Sequence, residues 1–215
     1  MSLSSGTVMA LQIGSGFFWT LVYLLIIKRG FEDRTYGMPL VALAANLSWE
    51  FIFSVLLPHR PPQLYVNYVW LLFDLVILVQ TVRFGKQTLK DLVPEKWFYP
   101  TLGLSLVTAF GIVLTMSYEF QDWDGKYAAF GQNLMMSILF VIMLLRRKSL
   151  AGQSVYIAIF KMIGTVLPSF LFANLYPGTP LLYFLYVMIF VFDWLYIILL
   201  YFKHKELGIN PWKRF

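Results

Sequence analysis

The chain contains no cysteine. That absence excludes a disulfide framework, a cysteine-ligated zinc site and a cysteine nucleophile, while leaving the redox compartment open. Histidine is nearly absent as well. His59 and His204 are the only two, both fall in polar flanks, and neither has a second ligand at helical spacing, so no metal site is expected. Charge is the third scarcity: 13% of the 215 residues are charged, against about 25% in an ordinary soluble domain. What occupies the space is apolar, with 59% hydrophobic and 19% aromatic residues and a mean hydropathy of +0.69. Such a chain cannot bury its apolar surface in one soluble core, and it reads as an integral membrane protein.

Crossing a bilayer takes roughly 20 apolar residues, and seven runs approach that length, at 7–27, 38–57, 64–84, 97–117, 126–145, 152–172 and 180–203. Between them stand "PHRPPQ" (58–63), "LVPEKW" (92–97), "QDWDGK" (121–126), "RRKSLAG" (146–152) and "NLYPGTP" (174–180), with the proline, glycine and charge of connections. The first run has no basic segment before it and is expected to be a retained helix rather than a signal peptide. The fold class is therefore all-α: one polytopic domain of seven transmembrane helices over residues 1–215.

Lysine and arginine concentrate on the cytoplasmic side of membrane proteins. The loops after the first, third and fifth runs, with the C-terminal tail, carry fourteen: Lys28, Arg29, Arg34, Arg83, Lys86, Lys90, Lys96, Arg146, Arg147, Lys148, Lys203, Lys205, Lys213 and Arg214. The opposite side carries Arg60 and Lys126. This asymmetry predicts the N-terminus outside and the C-terminus in the cytoplasm. The net charge of +6 is then a topology signal and some attraction to headgroups, not a nucleic-acid footprint.

The seventeenth basic residue, Lys161, lies inside the sixth run, and acids lie at comparable positions in other runs. At 1.5 Å per helical residue, Glu50, Asp74, Lys161 and Asp193 all come out about 13 to 18 Å deep, near the midplane of a core about 30 Å thick. Each such group costs about 2.5 to 3.5 kcal/mol to insert, and such groups face the bundle interior and pair there. Stripes at spacings of three and four accompany them: Gln12, Trp19 and Tyr23; Asn46, Trp49 and Glu50; Asn67, Trp70 and Asp74; and Tyr183, Tyr186, Phe190 and Asp193. The picture is an aromatic pocket with carboxyls in its middle. Each aromatic is also a natural packing or interface residue, and Asp74 with Lys161 is expected to form a buried ion pair, structural or catalytic.

That pairing leaves Glu50 and Asp193. Two carboxyls facing one apolar cavity cannot both ionise cheaply, so a proton is retained between them at neutral pH. A neutral acid there can protonate a poor base such as an epoxide or alkene. The surrounding ring faces stabilise a cation, and a dry cavity protects it from water.

Five segments carry a family resemblance: "NLSWEF" (46–51), "WLLFDLVILVQTVRFG" (70–85), "FGQN" (130–133), "SLAGQSVYIAIFKMIGT" (149–165) and "FVFDWLY" (190–196). The chain resembles the integral-membrane terpene cyclases of fungal meroterpenoid and indole diterpenoid biosynthesis, and its length is similar to that of shorter bacterial-type members. The resemblance implies seven helices and metal-independent, cofactor-free, proton-initiated cyclisation of a polyprenylated aromatic substrate. It also implies catalytic roles for Glu50 and Asp193, and a place in the site for Asn133 of "FGQN" beside the residues of the stripes and Lys161. The host membrane would be the bacterial cytoplasmic membrane or the endoplasmic reticulum, and a lipid-soluble substrate is expected to enter laterally between helices. "DWD" (122–124) is expected to be a loop fragment rather than a magnesium site.

An alternative is a small sugar transporter of three-plus-one-plus-three architecture. Lys28 to Asp74 and Arg146 to Asp193 are nearly equal intervals, hinting at an internal repeat. A retinal protein with Lys161 as Schiff-base lysine fits less well, because that lysine stands on the sixth run and the core of the seventh has none.

Overall fold

The computed structural model describes residues 3–215, and all of its regular structure is helical. The helices are α1 (Ser5–Glu32), α2 (Leu40–Phe51, extended by a π-helical turn, Ile52–Leu56), α3 (Gln63–Thr88), α4 (Phe98–Glu119), α5 (Lys126–Arg147), α6 (Val155–Leu175) and α7 (Pro180–Glu206). Short 3₁₀ turns precede α4 and follow α7. Six are long and apolar enough to cross a membrane; α2 with its π turn is the shorter exception. At 1.5 Å per residue its seventeen positions reach about 25 Å, because Pro39 opens it and Pro58 follows its end.

Local chemistry sets the ends. The Ser4 and Ser154 side chains accept hydrogen bonds from the backbone N–H groups of Thr7 and Ile157, capping α1 and α6. α5 starts after Gly125, whose φ of +62° favours glycine. A side chain there would also collide with the Phe53 ring and Trp49 Nε1. Pro168 lies inside α6, which neighbouring helices make tolerable.

α1 packs on α6 and α3; α2 packs on α3, α4 and α5; α7 packs on both α5 and α6. Thus α3 lies against both α1 and α2, and α7 lies against both α5 and α6. The close approach of α1 to α6 is made at Gly164, where even a methyl group would press on Trp19, and Ser15 Oγ donates to Gly164 O at 2.9 Å. Large apolar side chains such as Leu72, Leu104, Val107 and Val187 are exposed, as expected where lipid is the solvent.

The two ends of the bundle differ. At one, Arg214 pairs with Asp33 (2.5 Å) and donates to Leu150 O and Gln153 O, while the Gly152 N–H donates to Asp33. These contacts bind the tail and the α5–α6 loop to the end of α1. The other end carries the α2–α3, α4–α5 and α6–α7 loops and is open to a cavity.

Candidate active site

The cavity has a volume of about 670 Å³ and is walled by α1, α2, α3, α5 and α6, a size suited to a small organic ligand. Around Glu50 lie Trp19, Tyr23, Asn46, Trp70, Gln132, Asn133 and Met136, while the Trp49 indole reaches outward to Gly125 and His59. Further out come Ser15, Gly16, Phe130, Pro168, Leu171 and Phe172. The rim is made by Pro58–Gln63, Trp123, Asp124, Lys126 and Tyr176.

Glu50 is 1% exposed and sits in a knot of hydrogen bonds. The Tyr23 hydroxyl donates to Glu50 Oε1, and Asn46 Nδ2 donates to the Tyr23 hydroxyl and, at 3.2 Å, to Asp74 Oδ2. Asn46 reaches Glu50 because four residues separate them on one helix face. Gln132 Nε2 in turn donates to Asn46 Oδ1 at 3.2 Å, which fixes the orientation of the amide. Glu50 Oε2 and Asp74 Oδ1 receive no hydrogen bond, and the two carboxyls converge on one amide: Asn46 Nδ2 lies 3.4 Å from Glu50 Oε1 and 3.2 Å from Asp74 Oδ2. The groups hydrogen-bonded to this pair of carboxyls, Tyr23 and Asn46, are neutral.

Lys161 does not join this knot. Its ammonium donates to Asp193 Oδ1 (2.8 Å), Asn133 Oδ1 (2.8 Å) and Ser137 Oγ (2.6 Å), and it lies 5.9 Å from the centre of the Trp19 ring. All three ammonium protons are used. Asn133, so held, donates to Thr165 Oγ1 at 2.9 Å.

The expected pairing of Lys161 with Asp74 is therefore corrected: Lys161 pairs with Asp193, and Asp74 with Glu50. The reason is packing. α3 lies on α1 and α2, delivering Asp74 to the face of α2, whereas α7 lies on α6 and delivers Asp193 to Lys161. Asp193 consequently lies behind the cavity wall instead of facing Glu50 across it.

The α7 stripe is placed differently from expectation too. The buried line of α7 runs through Leu182, Leu185, Ile189, Asp193 and Tyr196, and at 3.6 residues per turn Tyr183 and Phe190 fall about a quarter turn away from its centre. Both are exposed at the bundle surface, 40% and 43%. Tyr186 packs on Phe130, which does line the cavity (4.6 Å between centroids). The wall instead takes its aromatics from the other stripes: Tyr23 is 6.3 Å from Trp19 and 6.0 Å from Trp70. Trp49 donates to Gly125 O at 2.9 Å.

Several participants escaped sequence reasoning. Gln132 stands inside the quoted "FGQN", and Ser137 follows Asn133 by four residues, a spacing that could have revealed it. His59 is no solvated flank residue: it stacks on Phe53 at 4.8 Å and is hydrogen-bonded to Asn67 at 3.0 Å. His204 is buried at the end of α7. Asp122, in the "DWD" fragment, caps α5 through the Tyr127 N–H and pairs with Lys126 at 2.7 Å. Residues from all three loops at this end contribute to the cavity lining.

Comparison with known proteins identifies the scaffold. Residues 4–206 match the family described as Pyr4-like transmembrane terpene cyclases. The chain is 32% identical over 178 residues to the Pyr4-family terpene cyclase mfmH of Annulohypoxylon moriforme, covering 79% of this chain and 72% of that protein. It is 26% identical to asnovolin H synthase nvfL of Aspergillus novofumigatus over 86% of this chain and 82% of the relative. With the terpene cyclase pyr4 of Aspergillus fumigatus it shares 30% identity over 42% of this chain and 34% of the relative. No solved structure matches the chain. An acid buried in an aromatic cavity of an apolar helical bundle agrees with that match, and transport is not the activity these relatives are named for. The chain belongs to the Pyr4-like transmembrane terpene cyclases and is a multi-pass membrane enzyme that catalyses terpene cyclisation.

Proposed function

We propose that Glu50 is the general acid that starts cyclisation of a polyprenylated aromatic substrate, farnesyl or geranylgeranyl in chain length, by protonating its terminal epoxide or alkene. One observation carries this reading: among the buried acids, Glu50 lines the cavity, and its hydrogen-bond neighbours are Tyr23 and an Asn46 amide shared with Asp74 rather than a cation. The Glu50 O–H proton passes to the epoxide oxygen, the C–O bond opens to an alcohol, and the cation left on carbon is attacked by the next alkene. With an alkene the same proton forms a C–H bond instead. Loss of one proton from the last cation ends the sequence, so the substrate is isomerised and no co-reactant is consumed.

Asp74 shares the Glu50 proton from behind. Tyr23 and Asn46 aim the carboxyl, and the faces of Trp19 and Trp70 hold the cation electrostatically while excluding water. Asp193 acts indirectly: it fixes Lys161, which fixes Asn133 in the wall. We further propose that α2 spans the membrane as the seventh crossing, with the rim end outside and the C-terminus cytoplasmic, in keeping with the basic residues near the closed end. The placement of α3 against α1 and α2, and of α7 against α5 and α6, supports a three-plus-one-plus-three repeat.

The test is product analysis of membranes containing Glu50→Gln, given farnesylated and geranylgeranylated phenols, quinones and indoles with and without a terminal epoxide. Cyclised product should vanish while inserted protein persists. Undiminished turnover would refute Glu50 as the acid.

A further inference from the structure

The cavity changes character along its length, and only its inner end enters the chemistry above. From Tyr23 at the acid to Gln12 near the mouth, α1 rises eleven residues, about 16 Å. Between them the wall is an aromatic shaft: Phe130 lies 5.7 Å from Phe172, and Phe172 stacks at 5.7 Å on Tyr176 of the rim. The rim itself is polar and built. Lys126 is held by Asp122 at 2.7 Å and lies 4.5 Å above the Tyr176 ring, and the Tyr176 hydroxyl donates to Asp124. These contacts occupy both acids of the loop. Arg60, by contrast, lines the cavity, and its guanidinium has no ion-pair or hydrogen-bond partner among the described residues. Trp123 beside it presents an exposed indole.

Acid floor, apolar shaft and cationic aromatic rim form the complement of one kind of molecule read end to end: a reactive chain terminus, an apolar chain and a polar planar head. We propose that the rim is a head-group site, in which Arg60 and Lys126 meet hydrogen-bond-accepting oxygens of an aromatic head and Trp123 meets its face, so that substrate binds head toward the rim. This rests on the cyclase reading of the inner end. The site decides which end of the substrate reaches Glu50, because a polar head in the shaft would lose its hydrogen bonds to water without replacement. It also places the head of the product at the mouth, where a following enzyme that acts on ring oxygens would find it.

Two photoreactive farnesyl hydroquinones test the orientation, one with a diazirine on the ring and one with it on the distal isoprene. Each is crosslinked in membranes containing Glu50→Gln, with and without excess unlabelled farnesyl hydroquinone, and the modified peptides are sequenced. The ring probe should mark residues 58–63 and 122–127, and the distal probe residues 15–23 and 46–50. Reversed labelling, or both probes in one segment, overturns the head-group site and leaves the acid assignment standing. If neither probe gives labelling that the competitor suppresses, the prenyl-substrate reading falls together with the site.

A second arm measures recognition. Arg60→Gln in the same background should weaken competition by farnesyl hydroquinone about tenfold, the loss of one charged hydrogen bond. Competition by farnesylbenzene, which lacks ring oxygens, should be unchanged. An equal loss for both competitors, or none for either, counts against Arg60 as the head contact.

Discussion

Two buried polar clusters lie at one depth in this bundle, and their difference separates chemistry from scaffold. Around Lys161, every ammonium proton has an acceptor and the charge of Asp193 is matched by a cation 2.8 Å away. Around Glu50, two carboxyls share the Asn46 amide as donor and have only neutral donors, Tyr23 and Asn46, beside them. Deleting either member of a buried ion pair strands the other charge, which marks this cluster as scaffold. An acid whose neighbour is another acid is the one suited to retain a transferable proton, and under the proposed function this one presents it at a cavity wall.

The sharpest break of the comparison is to remove that transferable proton. Glu50→Gln keeps shape and volume, and cyclised product measured in membranes should fall at least 10²- to 10⁴-fold, the contribution of a general acid, with protein abundance unchanged. The converse is expected of the other cluster. Lys161→Met leaves Asp193 charged and alone, a loss of about 3 to 5 kcal/mol when one partner of a buried pair is deleted. The readout is a lowered unfolding temperature in detergent and lower abundance. Lys161→Met combined with Asp193→Leu should restore both; a stable double variant with no activity would move the pair from scaffold to chemistry.

Asp74→Asn and Asn46→Ala sharpen the comparison within the acid cluster. Asp74→Asn replaces the carboxyl that shares the Glu50 proton, and a charged hydrogen bond lost in this way corresponds to about a tenfold to hundredfold slower turnover. Asn46→Ala should cost less than that, because the Tyr23 hydroxyl still holds Glu50. Rates as low as those of Glu50→Gln would make Asp74 the donor.

The smallest effect expected is a pH dependence at the rim. Burial holds the His59 pKa below the usual 6.5, opposed in part by Asp124 and Asp122. Folded His59 therefore stays neutral where the unfolded side chain begins to bind a proton. Stability contributed above pH 6.5 is lost as the pH falls toward the lowered folded value. Unfolding temperatures measured across that window should decline, and His59→Gln should flatten part of the decline without altering product.

Much of this was legible in the sequence. The seven helices lie within a few residues of the hydropathy runs, because an apolar segment in lipid must satisfy its backbone within itself. The common depth of Glu50, Asp74, Lys161 and Asp193 follows from counting residues, and the grouping of Asn46 with Glu50 follows from helical spacing. The loop ends were also marked, by proline, glycine and charge.

What counting could not supply was rotation and neighbourhood. Four ionisable groups at one depth allow more than one set of pairs, and the choice depends on which helices touch. α3 against α2 gives Asp74 to Glu50, and α7 against α6 gives Asp193 to Lys161. The α7 stripe was read as pocket lining because spacing fixes a face only relative to its own helix. Packing turned the buried line of α7 toward α5 and α6, and left Tyr183 and Phe190 on the surface. The sequence by itself determined an apolar helical bundle with acids inside it, since the bilayer fixes helix length and an acid in an apolar run must turn inward. Only the tertiary structure decided which acid lines the cavity and which is paired with Lys161, because the partner of a buried charge is set by contact between helices distant along the chain.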